Sequence, residues 1–173
     1  MFKSKRPDIM KLKLRRDVKG LIKALRYQDD SDIRMYAANA LKDLGDPRAI
    51  PQLSIALQDR QIEVRKAAVE ALCTTGATTG DLRAIGQLGV ALQDEKQDHE
   101  VRESAAISLV TIANFKDSLP QVRSNLDQLQ RQIASRRGLS RERSDAGPRK
   151  FFFEESLRLS NDWKKQHPGE EEN

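Results

Sequence analysis

An all-α fold, an α-solenoid of helix pairs with a C-terminal closing helix, is what this sequence predicts. Three observations carry the prediction. One pattern recurs three times: Ile33-Arg34 before Ala37, Ala40 and Leu41; Val64-Arg65 before Ala68, Ala71 and Leu72; Val101-Arg102 before Ala105, Ser108 and Leu109. A second pattern precedes each of them: Val18, Leu21, Ala24, Leu25; Ile50, Leu53, Ala56, Leu57; Ile85, Leu88, Ala91, Leu92. A fixed period of two helices means units that bury their apolar stripes only against their neighbours. Finally, charged residues make up 33% of the chain, more than the ~25% of an average globular domain, as suits a thin array with much exposed surface.

The elements follow in order. A short first helix is expected from about Asp8 to Arg15, marginal alone and dependent on the next unit for packing. Asp17 is placed to cap a helix carrying Val18, Leu21, Ile22 and Leu25. The polar turn Gln28-Asp29-Asp30-Ser31 leads into a helix ending near Leu44, with Gly45 in the left-handed position after it. Asp46-Pro47 opens unit two, an acceptor followed by proline at the first helical position. Its helices are expected at about 47–57 and 61–74, with a bend at Pro51 and an end at Gly76. Unit three runs from Asp81 to about Ala113, and close helix approach is the expected use of its Gly86 and Gly89. A longer helix from about Leu119 to Arg136, capped by Ser118, carries the narrow apolar seam Leu119, Val122, Leu126, Leu129 and Ile133. A charged, aperiodic linker follows, and then a helix from Lys150 to Gln166 stopped by His167-Pro168-Gly169. The expected organisation is therefore a basic N-terminal capping helix (1–16), three repeats (17–114), a closing helix (115–137), a linker (138–149), and an amphipathic aromatic helix with an acidic tail (150–173).

Charge is unevenly placed. The net charge of +5 divides into +8 over residues 1–26, −5 over 27–114, +5 over 115–150 and −3 over 151–173. The single cysteine, Cys73, rules out an internal disulfide and suits a reducing compartment. No apolar run approaches the ~20 residues of a membrane span, and no apolar stretch follows the basic Met1–Lys5. A cytoplasmic, soluble protein is the expectation.

The wording of the repeats resembles the HEAT-like family, in the short form also seen in phycobilin lyases. Asp46-Pro47-Arg48-Ala49-Ile50 and Val64-Arg65-Lys66-Ala67-Ala68-Val69-Glu70-Ala71-Leu72 carry the resemblance, with their counterparts in units one and three, over roughly residues 17–114. The fingerprints of tetratricopeptide and ankyrin repeats are absent. Spacings of 31 and 37 residues between second-helix starts are shorter than the ~40–47 usual for HEAT units, and unit three carries an insertion around Glu95 to His99. The resemblance implies a helical array. Its members include scaffolds, lyases, a hydroxylase and DNA-binding glycosylases, so it implies no one activity.

Each candidate for chemistry has a plainer reading beside it. Arg34, Arg65 and Arg102 occupy one equivalent position and read either as an anion-binding ladder or as partners of the turn acids Asp29, Asp30, Asp59 or Asp94. The resemblance implies the second, since an Asp–Arg ladder is the usual HEAT-like arrangement and arginine suits bidentate pairing. His99-Glu100 is a lone His-Glu pair. The HEAT-like deoxyhypusine hydroxylase holds iron through several such pairs, whereas the other histidine here is His167 in the tail, so no metal site and no cofactor is expected. Cys73 reads as a nucleophile or chromophore attachment point, or as filler without a histidine base nearby. A phosphate loop, a nucleophile elbow and paired catalytic carboxylates are absent, so enzymatic activity has no support beyond analogy with lyases. The basic run Lys11-Leu12-Lys13-Leu14-Arg15-Arg16 reads as a contact for nucleic acid or an anionic membrane, or as ordinary solubilising charge.

Helical geometry picks out the face of the second helices opposite their core positions. It holds Met35, Ala38, Asn39 and Lys42; Lys66, Val69, Glu70 and Cys73; Glu103, Ala106, Ile107 and Val110. In HEAT-like arrays this is the concave face. Its mixture of apolar and oppositely charged residues suits a protein partner better than a uniformly basic nucleic-acid groove. The candidate protein-binding set is Met35, Asn39, Lys42, Lys66, Val69, Glu70, Cys73, Glu103, Ile107 and Val110. A second candidate is the C-terminal docking helix, with Phe152, Leu159 and Trp163 on one face and Phe153 and Leu157 beside it, folding back on the array or reaching a partner. The function expected is a non-catalytic scaffold or adaptor that binds a protein. A nucleic-acid-binding module using the basic termini is the alternative, and a lyase-like chaperone of a chromophore or protein substrate a weaker one.

Overall fold

The computed structural model describes residues 6–114, 120–139 and 147–168. Nine α-helices stand among them and no strand. They are α1 (Ile9–Leu14), α2 (Val18–Ala24), α3 (Ser31–Leu44), α4 (Ile50–Ala56), α5 (Ile62–Thr79), α6 (Leu82–Gln93), α7 (His99–Asn114), α8 (Pro120–Arg136) and α9 (Pro148–Gln166). The pairs α2/α3, α4/α5 and α6/α7 are the three repeats. Their second helices α3, α5 and α7 lie side by side, and α4, α6 and the later helix α8 form the adjoining row.

Local chemistry sets the boundaries. The side chains of Asp8, Asp17, Asp30 and Asp81 each accept a backbone N–H in the first turn of the helix that follows, supplying acceptors for donors that have no partner within the helix. Gly45 ends α3 with φ 61°, a conformation costly for a residue with a Cβ. Pro47 opens a 3₁₀ turn, Pro47–Ala49, and α4 starts only at Ile50 with Pro51 in its first turn. The bend expected at Pro51 is thus a change of helix type just before it, placing the prolines where no intrahelical N–H is needed. Gly76 does not end α5. The helix continues to Thr79, and Gly80 takes the left-handed position. Gly76 instead gives room to α6 and α7: a Cβ on it would meet Ile112 Cδ1 at 3.2 Å and Ala84 Cβ at 3.4 Å. Gly89 has the same use against α8, where a Cβ would stand 2.6 Å from Leu129 Cδ1. Around Gly86 there is open space. The Ser118 cap expected for α8 and the middle of the linker lie outside the described residues.

One continuous core runs along the array. Leu41, Leu53, Leu72, Leu88 and Leu109 are each 0% exposed. α8 adds Val122, Leu126 and Ile133 from its seam, with Leu129 half-buried. α9 lies along α7, as α7 lies along α5 and α5 along α3. Its buried residues Phe151, Phe152, Glu155, Ser156 and Leu159 repeat the spacing of Ile33, Arg34, Ala37, Ala38 and Leu41 in α3. α8 and α9 therefore continue the row as a divergent fourth pair. No helix among the described residues is long and apolar enough to cross a membrane.

Candidate functional site

The arginines at the equivalent position stitch the repeats together, each in its own way. Arg34 is 4% exposed and grips Asp59 of the next unit with two hydrogen bonds, Nε to Oδ2 at 2.7 Å and Nη2 to Oδ1 at 2.9 Å. Its Nη1 donates to the Tyr27 carbonyl at 2.9 Å. Arg65 donates to the Asp59 carbonyl at 2.6 Å and pairs with Asp98, an acid outside the four expected. Arg102 donates to the Leu92 carbonyl at 3.2 Å and has no carboxylate within 4.0 Å among the described residues. Burial pushes its guanidinium down, and Arg158 adds to that. At the next step Phe152 takes the arginine's place in the helix register. The ladder thus ends where α9 begins. There Glu155, 5% exposed, pairs with Arg137 and Arg158, and burial together with Arg158 and Arg102 lowers Arg137 to about 10.

A second ladder crosses the expected binding face. Lys42 of α3 donates to Glu70 of α5 at 2.8 Å, and Lys66 of α5 donates to Glu100 of α7 at 2.5 Å. The hydrogen bond to Glu70 raises the Lys42 ammonium above its ordinary value. Three of the four charges expected to greet a partner, Lys42, Lys66 and Glu70, therefore tie neighbouring second helices to one another. Val69 is a correction to the expected set. It is 0% exposed, as are Ala38 and Ala106 at the same position. A second helix in a row is covered on both flanks as well as by its own pair, so its solvent-facing stripe is narrower than the half-cylinder assumed from the sequence. Met35, Asn39, Glu103 and Val110 are half-buried. Cys73 is half-buried too, its thiol directed to the Ser108 carbonyl at 3.7 Å. Burial pushes that thiol up, which disfavours the thiolate a nucleophile or chromophore attachment would need.

What the face leaves open is apolar and lies at the α7–α9 end. Ile107 is 51% exposed and Phe153 53%. Val110 and Phe153 share a cleft of about 620 Å³ with Pro148, Arg123, Arg149 and Lys150. Leu157, 49% exposed, lies instead in a cleft of mixed character with Leu139, Phe151, Glu154, Arg158 and Lys165. Phe152 and Leu159 are buried. Trp163 is half-buried, stacked on His99 at 4.8 Å between ring centroids and on His167 at 4.9 Å.

The insertion in unit three supplies several of these contacts. Gln97, 8% exposed, donates to the Leu57 carbonyl at 2.7 Å, satisfying an acceptor at the end of α4. Asp98 receives Arg65, His99 stacks on Trp163 and Glu100 receives Lys66. None of these partnerships was visible in the sequence, because an insertion falls outside the repeat register. The stacking gives a direct check on the seat of α9. Trp163 fluorescence should be blue-shifted and partly shielded from acrylamide in the intact chain, and His99→Ala should weaken that shielding. A fully solvated emission from the native chain would remove α9 from α7.

Among the described residues no group of three or more His, Cys, Asp or Glu side chains is arranged to hold a metal ion. In comparison with known families, a model described as HEAT repeats matches residues 18–110. No curated protein matches the chain.

Proposed function

Because the chain belongs to the HEAT-repeat family, whose arrays commonly serve as protein-interaction scaffolds, we propose that it is a non-catalytic adaptor that binds a protein partner through the face of its second helices. The observation that carries this reading is the exposed apolar pair Ile107 and Phe153 at the α7–α9 end, with the cleft that Phe153 and the half-buried Val110 share with Arg123, Arg149 and Lys150. An apolar centre with a polar rim is the anatomy of a protein interface. Large side chains of this kind are costly to leave in water. The flanking ion pairs Lys42–Glu70 and Lys66–Glu100 support it as stiffeners that hold the face in one shape before binding, which limits the ordering cost of association.

Paired affinity captures with the wild-type chain and an Ile107→Glu/Phe153→Glu variant, both nuclease-treated, test the reading. Both sites are exposed, so the variant should keep its unfolding midpoint within ~0.5 kcal/mol of wild type for each change. Proteins held by the wild type should be held at least ~10-fold more weakly by the variant. Capture unaffected by both substitutions would move the partner off this face. Capture lost on nuclease treatment would favour the nucleic-acid reading instead.

A further inference from the structure

We propose that the opposite, N-terminal end of the array is a docking surface for an anionic lipid bilayer. The site is distinct from the second-helix face and does not depend on it. Its core is α1. Ile9 and Leu12 turn toward the array, and Leu12 is seated closely enough that a Cβ on Gly20 would stand 2.6 Å from its Cδ2. With that side fixed, the other side of the helix faces water. Met10 is 66% exposed and Leu14 78%, and their i,i+4 spacing puts them one above the other.

Cations accompany this pair on α1 and continue on α2, which packs against it. Lys11 and Arg15 follow Met10 and Leu14 by one residue each on α1 and its C-terminal boundary. Arg16 comes next, with φ 52°. Lys19 and Lys23 of α2, and Arg26 just past its C-cap Leu25, recur at i, i+4 and i+7 on the side away from the buried Leu21 and Leu25. All six are exposed, and none has a carboxylate within 4.0 Å among the described residues. The setting makes this unusual within the molecule. Arg6 and Lys13 of the same segment are paired with Asp30 and Asp43, and Asp8 and Asp17 are used as helix caps. The result is a surface of net positive charge beside two projecting aliphatic side chains, with Asp8 and Asp17 capping its helices and Asp46 the carboxylate that feels Arg16.

Three ligand classes would answer the charge, and the aliphatic pair separates them. A nucleic-acid duplex offers phosphates but nothing to Met10 and Leu14. Single strands are held by aromatic stacking, and residues 6–26 contain no aromatic residue. An acidic protein would need a recess shaped to Leu14. A bilayer with anionic headgroups offers phosphates at the surface and hydrocarbon just beneath them. Long lysine and arginine stems reach the former while apolar tips enter the latter. α1 has six residues, too few to anchor by insertion alone, so the contact is peripheral, reversible and salt-sensitive.

Flotation of the 173-residue chain with vesicles tests this. Vesicles of phosphatidylcholine with about 30 mol% phosphatidylglycerol should carry the protein upward at about 0.1 M salt, and vesicles of phosphatidylcholine alone should not. Raising the salt to about 0.5 M should lower the bound fraction ~10-fold or more. Met10→Ser/Leu14→Ser, which leaves the charge unchanged, should weaken binding ~10-fold, and Lys11→Gln/Arg15→Gln/Lys19→Gln should abolish it, each with an unchanged circular dichroism spectrum. Absence of flotation with the anionic vesicles would overturn the proposal. So would equal binding to neutral vesicles, wild-type binding by the Met10/Leu14 variant, or displacement from vesicles by duplex DNA at equal phosphate concentration.

Discussion

Leu72→Ala is expected to lower the unfolding free energy by about 2–5 kcal/mol. Leu72 is 0% exposed and sits on α5, which packs against α3, α4, α6 and α7. The cavity left by three missing carbons would therefore be walled by neighbouring repeats on both sides. At an end of the array the neighbours on one side are fewer and can relax inward, whereas at the centre relaxation would have to shift two inter-repeat seams at once. The cost should accordingly lie toward the upper part of that range. A urea titration followed by circular dichroism measures it, and the slope should be compared with wild type. A loss below ~1 kcal/mol at unchanged slope would show that the seam collapses around the smaller side chain. A marked fall in slope would show that the array no longer unfolds as one unit, because adjacent repeats have been uncoupled.

Much of this architecture was legible in the sequence for a physical reason. A repeat states its core several times, so Leu41, Leu72 and Leu109 each confirm the burial of the others. Caps were equally plain at Asp17 and Asp46, whose side chains accept the N–H of Gly20 and Arg48 two or three residues on. Where the reading stopped short, the missing information lay in lateral packing. Val69 looked like surface from its helical angle, and it is buried because α5 has a second helix on either side. Gly76 looked like a stop, and it is a contact point for Ile112 and Ala84. The α9 helix hid its place in the row because Phe152 stands where the ladder arginine would be and Glu155 where an alanine would be. The binding face was harder still. Its residue types mixed charges with apolar groups, and only coordinates separate the lysines and glutamates tied across repeats from Ile107 and Phe153, which remain exposed.

Breaking the Arg34–Asp59 pair should be as damaging as the core cavity, and its effect should depend on pH. Arg34→Met removes the guanidinium while keeping much of the side-chain volume. It strands the Asp59 carboxylate, whose side chain is only 13% exposed, with the Gln61 N–H at 3.0 Å as its remaining described partner. Asp59→Asn keeps the shape and strands the arginine instead. Either change should cost about 3–5 kcal/mol at neutral pH, the range for breaking a buried pair from one side. Combining them should cost less than the sum, since no charge is then left buried alone. The pH dependence follows from the carboxylate. Burial pushes Asp59 up, but the hydrogen bonds from Arg34 and Gln61 and the Arg34 charge outweigh it, and Asp59 lies below its ordinary value. A depressed carboxylate contributes stability that is fully present above the unfolded pKa of ~3.9 and is lost as pH falls through the folded value. Asp46 and Asp81 are lowered as well, beside Arg48 and Arg83, so the wild-type chain should lose stability in several overlapping steps below about pH 4. Urea midpoints at pH 7 and pH 3 should therefore differ less in Asp59→Asn than in wild type. An acid loss of the same size in both would mean that Asp59 titrates alike in the folded and unfolded chains, and that the bridge contributes nothing to the pH dependence.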